Sequence, residues 1–169
     1  MTPAITRRDT NLKEQTLRRV FAVLAAMLVL AVVAQFFLAA SGAFDTAPKD
    51  ESFQPHRALG YGILLFAVML TIVAALGRAP GRLIGMTGLV AGLTAVQSLI
   101  RNIADAVNGT GDTSTTAGQL IFGLHAVNGL AIMAVAGTVA RRARALARPA
   151  VTDRHQQPDR LTPRHDTDN

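Results

Sequence analysis

Four stretches of the chain carry no Asp, Glu, Lys or Arg: Val20 to Phe44, Ala58 to Gly77, Leu83 to Ile100 and Thr113 to Ala140. The hydrocarbon layer of a bilayer is ~30 Å thick and a helix rises ~1.5 Å per residue, so about 20 apolar residues cross it. Each stretch is long enough, the third at the short end, and the first residues of the fourth are polar enough to be loop. Backbone polar groups in lipid must pair within the segment, which makes these stretches helices. The period-two alternation of a barrel strand is absent. The expected fold is an all-α polytopic membrane protein, an up-down bundle of four transmembrane helices spanning about 20–41, 57–77, 82–101 and 116–140. Residues 1–19 form an N-terminal segment, 20–140 the transmembrane domain, and 141–169 a basic tail. After Pro149 that tail is rich in Asp, Arg, His, Pro and Thr, the composition of a disordered chain.

Composition agrees. Half the 169 residues are hydrophobic, only 17% are charged, and mean hydropathy is +0.30. These values exclude a soluble enzyme with a large water-facing surface. The absence of Cys excludes a disulfide-stapled module, thiol catalysis and Cys-ligated metal centres.

The basic residues orient the spans. Of 17 Lys and Arg, residues 1–19 hold five, the Arg78–Arg82 turn two, and the chain from 141 onward seven. Only Lys49, Arg57 and Arg101 lie on the other side. By the positive-inside rule the rich side is expected to be cytoplasmic, with both termini inside. The asymmetry accounts for a pI of about 11.2 without nucleic acid: the basic tail reads as a topology signal touching the lipid surface. The first apolar run exceeds the ~7–15 residues of a signal-peptide core, so a span is expected there. Arg7-Arg8 lies too far upstream of that run for a twin-Arg signal, and Asn108-Gly109-Thr110 is a sequon on the outer side. Arg78-Ala79-Pro80-Gly81-Arg82 is a tight turn that makes spans 2 and 3 antiparallel neighbours.

Polar residues inside the spans are few, and such residues tend to face a bundle interior. They are Gln35 in span 1; His56 at the mouth of span 2, with Thr71 deeper; Thr87, Thr94 and Gln97 in span 3, with Arg101 at its edge; and Gln119, His125, Asn128 and Thr138 in span 4. No span holds an acid, which argues against a carboxylate proton relay. Gly88 and Gly92 have the small-xxx-small spacing of close helix packing, with Gly85 nearby.

His56 and His125 each open an H-x-x-x-G pattern, with Gly60 and Gly129 one turn on. Each follows a span with a Gln in its outer third, Gln35 and Gln97, so the halves read as a weak repeat or as a chance match. In an up-down bundle spans 2 and 4 sit diagonally. Neighbouring axes at ~8–10 Å put the diagonal at roughly 12–14 Å, a gap that suits two imidazoles ligating one heme iron. Arg57 and Arg101 lie where they could pair with propionates. Depth opposes this arrangement. His56 is 22 residues from Arg78 and His125 is 16 from Arg141. The difference is ~9 Å along a helix, so span 4 must continue past Arg141 or the helices must tilt. The plainer readings are a capping His56, a His125 hydrogen-bonded to Gln97 or Asn128, and arginines that anchor at the interface. Two histidines supply too few ligands for zinc.

At these residues the chain resembles one half of the heme A synthase family. That family has two four-helix halves, each with a heme-ligating His on its second and fourth helices. His56-Arg57 is similar to the HR pair opening the family's second helix, Ser41-Gly42 to the loop after its first, and Gln97 and His125 to a third-helix Gln and fourth-helix His. The likeness covers about residues 20–140. The family's Cys-containing loop is absent, and Phe53 and Gln54 stand where a carboxylate is expected one turn before the His. The resemblance therefore implies a fold and heme ligands, not a reaction. The chain also looks like small four-span bacterial proteins without assigned function.

Two functions follow as expectations. One is a bis-histidine b-type heme protein in electron transfer or heme handling, with His56 and His125 as axial ligands, Arg57 and Arg101 at the propionates and Gln97 behind them. Its partners beyond the lipid bilayer would be another membrane protein or a quinone. The other is a non-catalytic accessory or structural subunit without cofactor, packed through Gly85, Gly88 and Gly92. No catalytic residue is assigned under either.

Overall fold

The computed structural model describes residues 3–108 and 115–148, with side chains from Leu12 onward. Expectations about residues 109–114 and the tail after Pro149 lie outside the described residues. The described chain is helical: α1 (Pro3–Phe44), α2 (Lys49–Ser52), α3 (Gln54–Leu76), α4 (Gly81–Asn108) and α5 (Thr116–Ala147). Four helices are long and apolar enough to cross a membrane, α2 adding to the start of α3. They pack in a closed ring, α1 to α3, α3 to α4, α4 to α5 and α5 back to α1. Among the described residues α3 and α5 do not pack together, so they are the diagonal pair that the sequence implies for spans 2 and 4.

The core is a column of small and branched residues: Ala25 and Leu28 of α1, Ala67 and Leu70 of α3, Val90 of α4, Ala136 and Val139 of α5. Alanines at the crossings let backbones approach closely, which is how helices gain contact where lipid supplies no hydrophobic drive. Large side chains point outward instead: Leu30, Phe37, Leu120 and Leu130 are each more than 60% exposed. That inversion of a soluble protein's pattern is the signature of a lipid-facing surface. The hydroxyls of Thr71, Thr87, Thr94 and Thr138 each bond a carbonyl three or four residues back, so they sit in apolar surroundings without an unmet donor.

The buried register repeats. Phe21, Ala25, Leu28 and Val32 of α1 stand 62 positions before Leu83, Thr87, Val90 and Thr94 of α4, and all eight are buried. Ile63, Ala67, Leu70 and Ala74 of α3 stand 69 positions before Ile132, Ala136, Val139 and Ala143 of α5, again all buried. The bundle is thus two similar helical hairpins, α1–α3 and α4–α5, related as by a two-fold along the bundle.

Local chemistry sets the connections. α3 ends in a Schellman arrangement: Ala79 N donates to Ala74 O, Arg78 N donates to Ala75 O, and Arg78 takes a left-handed φ of 50°. Pro80 and Gly81 then start α4, giving the tight antiparallel turn expected from the sequence. At the other end, Asn108 Oδ1 accepts from both the backbone N and the hydroxyl of Thr115, whose side chain caps α5 through Gly118 N. Gly42 permits the approach of α2, because a Cβ there would lie 2.8 Å from Ser52 O and 3.2 Å from the Phe53 ring. α5 continues past Arg141 to Ala147, with Ala143 buried against the core. The condition set by the unequal histidine depths is therefore met.

Of the span 3 glycines, only Gly88 has a neighbouring helix within reach, since a Cβ there would lie 3.7 Å from Thr71 Cγ2. No described atom lies within 4 Å of a Cβ at Gly85 or Gly92. Packing through all three is corrected to packing through Gly88; the other two lie on an outward face.

Candidate functional site

At the end of the bundle away from the Arg78–Arg82 turn, the four long helices line a partly open cavity of ≈560 Å³. Its walls are mostly apolar, with the polar groups of Gln35, His56, Gln97 and His125 converging on it and Arg57 and Arg101 also lining it. Size and lining are those of a small-molecule or cofactor pocket. All five residues singled out by sequence, His56, His125, Arg57, Arg101 and Gln97, therefore meet at one place.

The two imidazoles face each other across the diagonal, with ring centres 6.1 Å apart and planes at 47°. The rings thus come level despite their different distances from the inner arginines. Each is braced by a phenylalanine three residues earlier. Phe53 meets His56 edge-on at 6.2 Å, and Phe122 stacks on His125 at 5.4 Å with planes 4° apart. The sequence signal is longer than H-x-x-x-G: both histidines lie in F-x-x-H-x-x-x-G, and the i−3 spacing marks both phenylalanines as ring neighbours.

His56 is held by α1. Its Nδ1 is 3.1 Å from the Gln35 carbonyl oxygen, which can only accept, so Nδ1 carries the proton and Nε2 keeps its lone pair. The Gln35 side-chain amide donates to His56 O at 2.8 Å and approaches Nε2 at 3.3 Å. Gly60 makes room for it, since a Cβ there would lie 3.1 Å from Gln35 Nε2.

The equivalent pair is wired differently. Asn128 Nδ2 donates to Gln97 Oε1 at 2.9 Å and to Leu93 O at 2.8 Å. The Gln97 side chain is thereby committed to Asn128, while its backbone faces the His125 ring. His125 Nδ1 is buried and makes no hydrogen bond to any described residue; nor does Gln35 Oε1. Of the partners expected for the His125 ring, Gln97 lies against it through its backbone, while the Gln97 side chain and Asn128 bond each other. Gly129 accommodates Phe36, whose ring would stand 3.2 Å from a Cβ there.

The arginines are tethered on their own side of the pocket. Arg57 donates to Asp50 O and lies 3.6 Å from the Asp50 carboxylate. Arg101 lies 3.5 Å from Asp105 on the same helix. Both carboxylates are well exposed, at 93% and 59%, so the pairs are weak and the guanidinium groups can turn to another anion. Among the described residues no group of three or more His, Cys, Asp or Glu could hold a metal ion.

Fold and cavity together define a multi-pass all-α membrane protein with a mostly apolar pocket, carrying a few convergent polar groups, at one end of its bundle. Residues 35–104 match the model of a family described as a family of unknown function (DUF6220). The match takes in Gln35, His56, Gln97 and Arg101 and stops short of His125. No match was found among curated proteins or among solved structures.

Proposed function

We propose that the pocket binds a b-type heme through His56 and His125, in a bacterial plasma membrane with the arginine-rich end of the bundle in the cytoplasm. The observation that carries the reading is the facing pair of imidazoles. Two imidazoles sharing one metal at about 2 Å per nitrogen hold their ring centres about 6 to 6.5 Å apart, and here they stand at 6.1 Å. Two features support it. A backbone carbonyl on His56 Nδ1 is the usual outer partner of a metal-bound histidine. Two arginines in the apolar cavity wall suit paired carboxylates. The partial likeness to a heme A synthase half points the same way.

Bound heme supplies one-electron redox chemistry tuned by its axial ligands and surroundings. The protein's own residues fix the ring orientations through Phe53 and Phe122, screen the site from water with apolar walls, and hold anionic groups at Arg57 and Arg101. Electron transfer or heme handling, with a quinone or a second membrane protein as partner, is the class of activity such a site serves.

A second reading has its own support. Gln35–His56 and Asn128–Gln97 are hydrogen bonds between neighbouring helices in apolar surroundings, and such bonds staple bundles without any cofactor. The protein is then a structural or accessory subunit. The deciding experiment is a reduced-minus-oxidised visible spectrum of detergent-purified protein from cells supplied with heme. Sharp α-band absorbance that disappears in folded His125→Ala supports heme binding. A colourless wild type in which His56→Ala lowers only thermal stability leaves the staple.

A further inference from the structure

The two hairpins match in buried register, but their histidines are not treated alike. The difference traces to one position. Asn128 lies three residues beyond His125, and the residue three beyond His56 is Leu59. Asn128 draws the Gln97 amide away from His125. Leu59 has no group to do the same, and Gln35 stays on His56. His56 is thus contacted at both ring nitrogens by Gln35, whereas the matching Gln97 amide oxygen is taken by Asn128.

We propose that Gln35 is a positioning residue whose backbone carbonyl holds His56 in the Nδ1–H tautomer and whose displaceable side-chain amide covers the lone-pair nitrogen of His56. The Gln35 backbone carbonyl sets the tautomer and remains in place whatever the side chain does. The amide is the movable part. It is held through its NH2 end alone, because its Oε1 is buried without a partner, so turning away from the ring sacrifices one long contact at 3.3 Å and one good bond at 2.8 Å. A ligand seeking the His56 Nε2 nitrogen must displace that amide. The cover stands on the ligand-free structure. Its consequence for heme rests on the reading proposed above.

The test uses full-length protein in detergent. Gln35→Met keeps the side-chain length and the backbone carbonyl but removes the amide. With ¹⁵N-labelled histidine and no heme, the His56 Nε2 resonance should move to the position of an unbonded imidazole nitrogen, with His125 unchanged. Gly60→Ala pushes the amide off with its methyl and should move the same resonance, which covers the case that Gln35→Met does not fold. An unmoved His56 signal in either folded variant overturns the cover. In hemin titrations both variants should bind about fivefold tighter than wild type, the effect of removing one competing hydrogen bond. Equal or weaker binding overturns the role in ligation. If no variant binds hemin while the resonance moves, the cover stands and the heme reading fails.

Discussion

Asn128 shows how one polar side chain sets the character of a site it does not line. Its amide ties the Gln97 side chain and the Leu93 carbonyl, joining α5 to α4. Asn128→Leu should lower the thermal midpoint in detergent by an amount corresponding to about 0.5–1.7 kcal/mol, the range for hydrogen bonds between membrane helices. An unchanged midpoint would mean that water or lipid replaces the bond at no cost. At this scale the sequence was only partly readable. His56, His125 and Gln97 were found because polar residues in apolar runs are conspicuous. The bracing by Phe53 and Phe122 was missed, because a phenylalanine in a span looks like any lipid-facing residue until its partner is known.

Among the elements, the α4–α5 connection is the most tightly specified. Asn108, the last residue of α4, receives two hydrogen bonds from Thr115 and packs directly over Gly118. A methyl at 118 would occupy the space of the Asn108 amide. Gly118→Ala should therefore destabilise the fold by about 1–2 kcal/mol, read as a lower unfolding midpoint, through loss of the Asn108 contacts and weakening of the α5 N-cap. Removing the Thr115 cap in the same chain should add little, because the two changes break one network. Helix lengths were legible from charge-free runs and turn residues. The continuation of α1 toward Pro3 was not, and that of α5 past Arg141 was raised only by the unequal histidine depths, because charged residues leave the hydrophobic signal while still favouring helix.

For the molecule as a whole, the arginine-rich end lies opposite the histidine pocket, and the positive-inside rule assigns it to the cytoplasm. The natural chain has no Cys, so single cysteines report sidedness cleanly. In intact cells, Thr46→Cys should react with a membrane-impermeant maleimide and Ala145→Cys should react only after lysis. The reverse pattern would invert the topology and place the pocket on the cytoplasmic side. The paired hairpins also account for the site. Two similar helical hairpins closed around a common axis bring equivalent positions to face each other, and His56 and His125 are such positions.

Sequence alone determined the four candidate spans, their helical nature and their antiparallel order, because a bilayer leaves a charge-free run no other way to satisfy its backbone. It also carried the repeat, in positions that become readable once the buried face of each helix is known. Only the tertiary structure decided that the rings meet at one depth, that Gly85 and Gly92 face outward, and that the two histidines differ in their hydrogen bonds. These depend on helix rotation and relative height, which are set by side chains interlocking between helices far apart in the chain.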